Sequence, residues 1–193
     1  MSLLPSDERR ALLELARRAI SEAILHNRYL EAAGQLGAEH SAAGVFVTLH
    51  QRGRLRGCIG QLEGLETLES AIAYCAVAAA KHDPRFAPVE PQEVGELEIE
   101  ISILSQPEHI EPAAVQVGRH GLLVKRGRMR GVLLPQVPMQ FHWDSSKFLE
   151  ETCRKAGLDK DAWKDPATCI EAFTTEVISE AEFVPQESAR RHP

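Results

Sequence analysis

Gly44-Val45-Phe46-Val47-Thr48-Leu49-His50, Gln51-Arg52-Gly53-Arg54 and Leu55-Arg56-Gly57-Cys58-Ile59-Gly60 follow one another without a gap, and their reading decides the fold class. Val45, Val47 and Leu49 alternate with Phe46, Thr48 and His50, the period-two pattern of a half-buried strand. The next four residues place a glycine where a turn tolerates positive φ, so 55–60 reads as the returning strand of an antiparallel hairpin. A second hairpin has the same grammar. Gly118 and Gly121 frame the entry to Leu122-Leu123-Val124-Lys125, Gly127-Arg128-Met129-Arg130 forms the tip, and Gly131-Val132-Leu133-Leu134 returns. Between the hairpins lies the clearest strand in the chain. Leu97, Ile99, Ile101 and Ile103 point one way, and Glu96, Glu98, Glu100 and Ser102 point the other.

Helical periodicity surrounds these strands. Ser6 is read as the cap of a first helix with Asp7 and Glu8 in its first turn and Leu12, Leu15, Ala16, Ala19, Ala23 and Ile24 on its apolar face, ending near His26. Gly34 and Gly37 interrupt the stretch beyond it. Thr67 caps a second helix through Leu68, Ala71, Ile72, Cys75, Ala76, Ala79 and Ala80, which stops before Asp83-Pro84. Pro84, Pro88 and Pro91 then imply an extended connection. Leu134-Pro135-Gln136-Val137 reads as a strand end followed by a stiff link to Trp143-Asp144. Ser145 or Ser146 caps a third helix closed by Gly157, and Trp163 sits in a short connecting helix. Ile170, Ala172, Phe173, Val177 and Ile178 suggest one terminal strand, and the polar end from Gln186 a loose tail. The expected architecture is α+β, a largely antiparallel sheet flanked by helices, with a single domain over 1–185 and a tail over 186–193.

Composition sets the outer bounds. With 193 residues, 44% hydrophobic and 26% charged, the chain has the balance of a folded globular protein and neither a disordered nor a collagen-like one. A formal charge of −6 supplies no global field for duplex DNA or an anionic membrane. The amino terminus lacks the basic and apolar regions of a secretory signal, and no apolar run approaches a membrane span. A cytoplasmic location is expected, and with it reduced thiols at Cys58, Cys75, Cys153 and Cys169, no two of which have Cys-x-x-Cys spacing.

The densest chemical signal is 55–60, where Gly57 and Gly60 flank Cys58 and Arg52, Arg54 and Arg56 lie close in sequence. Cationic neighbours are what a nucleophilic or redox-sensing cysteine requires, whereas residue chemistry alone favours a structural role, because free cysteine is commonly buried. Cys75 and Cys153 fall on apolar helical stripes and Cys169 enters a strand, so Cys58 is the candidate for access. Arg85, in Asp83-Pro84-Arg85-Phe86, offers a donor fork for a carboxylate or phosphate. The favoured alternative is an ion pair with Asp83 or a strand glutamate, since no glycine-rich phosphate loop accompanies it. Glu98 and Glu100 share a strand face and suit acid–base work only if that face lines a cleft. Gln136 could bond to a ligand or a partner backbone. No His-x-x-x-His spacing is present, so neither a metal nor a cofactor is implied, and His50 and His82 are the histidines nearest these features.

Taken in order, 44–49, Leu55-Arg56-Gly57-Cys58-Ile59-Gly60, Asp83-Pro84-Arg85-Phe86, Leu134-Pro135-Gln136-Val137, Trp143-Asp144 and Cys153-Arg154-Lys155-Ala156-Gly157-Leu158 resemble the AMMECR family, whose bacterial and archaeal members are called AmmeMemoRadiSam system protein A. The likeness runs from the first helix to about Glu182. It implies an α+β protein of two unequal subdomains with a cleft near 56–60. It also implies a pathway shared with Memo-type and radical SAM proteins, without a settled activity. Gln140 stands where the resemblance implies a glutamate in many members, so no carboxylate is offered there.

Two functions follow as expectations. In the first, the protein is an accessory or regulatory module that binds a small anion, a nucleic-acid segment or a partner protein with its basic hairpins, Arg54, Arg56, Gly57, Gly60, Arg85, Glu98, Glu100 and Gln136 being the candidate cleft residues. In the second, it is an enzyme using Cys58. Nucleic acid is the weaker form of the binding reading, because aromatic residues make up only 5% of the chain. A monomer or weak dimer is expected, since no heptad repeat demands an oligomer.

Overall fold

The structure, a computed structural model, describes residues 4–30, 42–62 and 67–183. In chain order its elements are α1 (Ser6–Leu25), β1 (Gly44–Gln51), β2 (Arg54–Leu62), α2 (Leu68–Lys81), β3 (Leu97–Leu104), β4 (Glu108–His109), β5 (Gly121–Arg126), β6 (Met129–Leu133), α3 (Gln136–Gln140), α4 (Ser145–Lys155), β7 (Cys169–Phe173) and β8 (Thr175–Ser179). They form two compact units, Met1–Ile103 with Glu176–Pro193 and Leu104–Thr175. The fold is α+β with two four-stranded antiparallel sheets, one ordered β2-β1-β3-β8 and the other β4-β7-β5-β6.

In the first unit α1 and α2 cover one face of the sheet. Leu12, Leu13, Ala16 and Ile20 of α1 and Ala71, Ile72, Cys75, Ala76 and Ala79 of α2 meet Val45, Val47, Leu49, Leu97, Ile99 and Ile101 in one core. Small residues on α2 let the helix lie close to the sheet, and this closeness decides what β2 can carry opposite it. Thr67 caps α2 as expected, its hydroxyl accepting from the Ser70 N–H at 3.1 Å. In the second unit Phe148, Leu149 and Cys153 of α4 pack on Leu122, Val124 and Ile170. Gly157, at φ 77°, closes α4: its N–H reaches the Arg154 carbonyl while Leu158 N–H reaches that of Cys153, the paired bonds of a Schellman turn.

Several expectations need correction. Pro5, not Ser6, occupies the cap position of α1, and its carbonyl accepts from Arg9 N–H. The buried stripe of α1 includes Leu13 and Ile20, while Leu15 and Ile24 are only half-buried. Asp144, one residue ahead of the expected serines, caps α4 by accepting from Lys147 N–H at 2.7 Å. Gln136 opens the short helix α3 instead of lying in a stiff link. Pro91 begins a 3₁₀ turn, Pro91–Glu96, stabilised by a capping box between Glu90 and Glu93. The expected terminal strand is two strands in different sheets, broken at Thr174, whose N–H and C=O are both bonded to Ser105 at 3.0 Å. In β3, Ser102 is buried and Ile103 only half-buried, so the one-sided alternation ends before the strand does. The breaks at Gly34 and Gly37 and the tail from Gln186 lie outside the described residues.

Candidate functional site

The hairpin of β1 and β2 turns on Arg52 (φ 52°) and Gly53 (φ 72°), and two left-handed central residues match the twist of the strands they join. From the turn the ladder does not run evenly. Leu49 faces Gly57 but His50 faces Leu55, so Arg56 is an extra residue, a β-bulge. The bulge aims the Arg56 side chain away from the ladder. Its Nε and Nη2 grip the two oxygens of Glu93 at 2.8 and 2.9 Å, and Nη1 reaches the Ala87 carbonyl at 2.8 Å. These hydrogen bonds hold the Glu93 carboxyl below the usual carboxylate range.

Beyond the bulge, each glycine of the motif is fixed by a close approach. A Cβ on Gly57 would collide with the Ala79 carbonyl of α2, and one on Gly60 with the Phe46 ring. Cys58 lies between them opposite Thr48, on the sheet face that α1 and α2 leave uncovered, and it is half-buried. The Thr48 hydroxyl donates to its Sγ at 3.3 Å. Because β2 is an edge strand, the Cys58 main chain points outward, and the 83–86 turn meets it there. Cys58 N–H donates to Asp83 Oδ2 at 2.8 Å, and Arg85 Nη2 donates to the Cys58 carbonyl at 3.3 Å.

Asp83 and Arg85 are locked together. Arg85 Nε reaches Asp83 Oδ1 at 2.9 Å and Nη2 reaches Oδ2 at 2.7 Å, while the Arg85 N–H also donates to Oδ1. The guanidinium holds the buried Asp83 carboxyl well below its ordinary range, and the Cys58 N–H adds to the effect. The pair is asymmetric: the Asp83 side chain is 2% exposed and that of Arg85 is 55% exposed. Arg85 Nη1 makes no hydrogen bond to any described residue, so an oriented cation is presented to solvent beside Cys58.

The structure therefore brings Cys58, Gly57, Gly60 and Arg85 together, and among the described residues no side-chain hydrogen bond or ion pair joins the remaining candidates to Cys58. Arg56 is turned to Glu93, Arg54 is exposed at the hairpin tip, and Arg52 pairs with Glu96. Glu98 lines a groove of about 890 Å³ with Arg10, Leu13, Glu14 and Phe183. Glu100 is half-buried on the uncovered face, and Gln136 belongs to the second unit. Among the described residues no hydrogen bond or ion pair joins His50 or His82 to Cys58, and no group of three potential ligands could hold a metal ion. Burial pushes the Cys75 thiol up to about 11 and raises that of Cys153. Cys169, expected to be buried, is half-buried beside Glu171. Two contributors escaped the sequence reading: Thr48, whose pairing with Cys58 depends on the bulge, and Glu93, whose only signal was its place after Pro91.

An α+β chain of two units, each with a four-stranded sheet and its own core, with a glycine-flanked cysteine braced on an edge strand by an Asp-Pro-Arg turn, is the class of protein these features define. The AMMECR1 family profile matches residues 13–178, and the chain belongs to that family. It is 42% identical over 194 residues to Protein TK0174 of Thermococcus kodakarensis, covering 94% of each chain. It is 41% identical to a protein of Methanothermobacter thermautotrophicus, covering 92% of this chain and 96% of that one. Among solved structures, that of the uncharacterized protein PH0010 from Pyrococcus horikoshii superposes with a TM-score of 0.76 at 42% identity, covering 86% of this chain and 88% of that one. Among the described residues no helix is long and apolar enough to cross a membrane.

Proposed function

We propose that this protein is an accessory or regulatory binding module, acting in the cytoplasm with Memo-type and radical SAM proteins, and that Arg85 supplies its recognition of an anionic group. The observation that carries the reading is the guanidinium itself. Two of its nitrogens are fixed by Asp83 and one of those also by the Cys58 carbonyl, and the third is left to solvent. A cation oriented by a buried carboxylate loses little freedom when it binds an anion. The second reading, an enzyme using Cys58, rests on the Thr48 hydroxyl directed at Sγ. A nucleophilic cysteine also needs a base to take its proton or a cation at its sulfur; among the described residues no histidine is bonded to Cys58, and Arg85 reaches its carbonyl and not its Sγ.

Calorimetric titration of the purified chain with a Memo-type and a radical SAM protein tests this. Arg85→Ala should weaken binding at least tenfold while Cys58→Ser stays within about twofold. Absence of binding to both partners would remove the pathway assignment. Loss of function in Cys58→Ser with the fold intact, judged by circular dichroism, would favour the enzyme.

A further inference from the structure

The Cys58 main chain is occupied by the Asp83–Arg85 turn, but the edge of β2 continues past it. In an antiparallel ladder, main-chain groups alternate between the neighbouring strand and the outside. The Cys58 N–H and C=O point outward, to Asp83 and Arg85, and the register is unbroken from Leu49↔Gly57 to Gly44↔Leu62. The N–H and C=O of Gly60, two residues on, therefore point outward as well. Gly60 is half-buried, as Cys58 is, and no outward bond joins it to any described residue. With no side chain of its own and the Phe46 ring in its Cβ position, it presents bare backbone. This donor–acceptor pair stands one repeat along the edge from the Arg85 guanidinium.

We infer that the β2 edge at Gly60 is a strand-addition site for an extended acidic segment of a partner protein, with a carboxylate of that segment seated on Arg85. Open strand edges recruit extended chains through main-chain hydrogen bonds, and side-chain chemistry beside the edge selects among them. Here the selecting group is cationic. The Asp83–Arg85 turn has a double role: it closes the edge at Cys58, so that an added strand must begin at Gly60, and it marks that end with positive charge. The inference rests on the proposed anion recognition by Arg85 and adds the nature of the partner.

The test selects twelve-residue peptides from a random phage-displayed library against the full chain and measures the winners as synthetic peptides. Acidic sequences should dominate, shift the Gly60 amide resonance in a ¹⁵N-labelled sample, and lose at least tenfold in affinity when alternate peptide nitrogens are methylated. Arg85→Ala and the milder Arg85→Lys should each weaken them, and amidated peptides separate a side-chain carboxylate from a terminal one. If methylation costs nothing while Arg85 still matters, strand addition is overturned and anion recognition survives. If the Arg85 variants bind equally well, both ideas fall. Basic or apolar winners, an unmoved Gly60 amide or an empty selection each overturn the inference.

Discussion

The two hairpins of this protein are built on one plan, and they differ at one residue. Leu55-Arg56-Gly57-Cys58 returns along β2, and Met129-Arg130-Gly131-Val132 returns along β6. Each is the edge strand of its own sheet. Each carries a glycine pressed against the backbone near the C-terminal end of a helix: Gly57 against Ala79 of α2, Gly131 against Ala156 just after α4. In β5 and β6 the register is even from Arg126↔Met129 to Leu122↔Leu133. In β1 and β2 the bulge at Arg56 inserts one residue, and every side chain beyond it changes face. The hairpin plan, then, serves packing, while the insertion places Cys58 on the uncovered face and sends Arg56 to Glu93.

The shared glycines carry the largest stability effects. Gly57→Ala and Gly131→Ala each drive a methyl into helix-end backbone, which cannot swing aside as a side chain would. Each should cost about 3 kcal/mol, roughly 10 °C in Tm, by calorimetry. Gly60→Ala meets the Phe46 ring, which can turn, and should cost less. A tolerated Gly57→Ala would show that the plan is not set by helix contact.

Next in size is the clamp, described only on the first hairpin. Asp83→Ala leaves the Cys58 N–H unpaired on a half-buried edge and removes the anchor of Arg85, a loss of about 2 kcal/mol, since the exposed guanidinium can still find water. The pH dependence carries a sign. The folded-state carboxyl titrates below its unfolded value of about 3.9, so its stabilisation is complete above that pH and is lost as pH falls through the folded value. The gap in Tm between the wild-type chain and Asp83→Asn should therefore be widest at neutral pH and narrow below about pH 4. A constant gap from pH 7 to pH 2 would mean that Asp83 acts through shape and not charge.

These effects separate what could be read from the chain from what could not. Strand alternation at 45–49 and 97–101, the Thr67 cap and the Gly157 terminator are local patterns, and they appear in the structure where the sequence puts them. The facing of Cys58 was not legible. Even pairing outward from Gln51↔Arg54 sets Thr48 against Gly57 and Cys58 against Val47, on the core side; only the bulge moves Cys58 opposite Thr48. Clustering of arginines in sequence was a poor guide for the same reason: Arg52, Arg54 and Arg56 diverge, and the cation beside Cys58 is Arg85, twenty-seven residues on. An ion pair of Arg85 with Asp83 or a strand glutamate is the reading the sequence favours, since no glycine-rich phosphate loop accompanies Arg85, and the partner is Asp83. Its contact with the β2 edge is tertiary, and no local rule encodes it.

A smaller effect probes the insertion itself. Arg56→Ala removes a two-point grip on Glu93 and the bond to Ala87 at a side chain only 15% exposed, and should cost about 1–2 kcal/mol. The contrast on the second hairpin is Arg126→Ala, which breaks a pair with Asp165 that is about 40% exposed on both sides and should cost under about 0.5 kcal/mol. Equal costs would mean that the bulge gives Arg56 no privileged role.

The smallest expected change lies at the two tips, where the hairpins are most alike. Arg52 pairs with Glu96, but its side chain is 80% exposed, and an exposed pair gains little Coulomb energy in water while it restrains two long side chains. Arg54 and Arg128 are exposed as well, and no ion pair joins either to a described residue. Replacing Arg52, Arg54 and Arg128 with alanine together should shift Tm by no more than about 2 °C. Adding salt to 0.5 M, which screens exposed charge over a few ångströms, should shrink even that. If the tips serve recognition and not stability, the same triple variant should bind Memo-type or radical SAM partners more weakly, chiefly through a slower association rate. Testing Arg52→Ala with Arg54→Ala apart from Arg128→Ala then assigns the effect. Loss confined to the first pair would join the tip of β1 and β2 to the Arg85 surface on the same edge strand, whereas equal losses would make both hairpins a general basic attraction. Unchanged association in all three would leave the tip arginines as solubilising charge and confine recognition to Arg85.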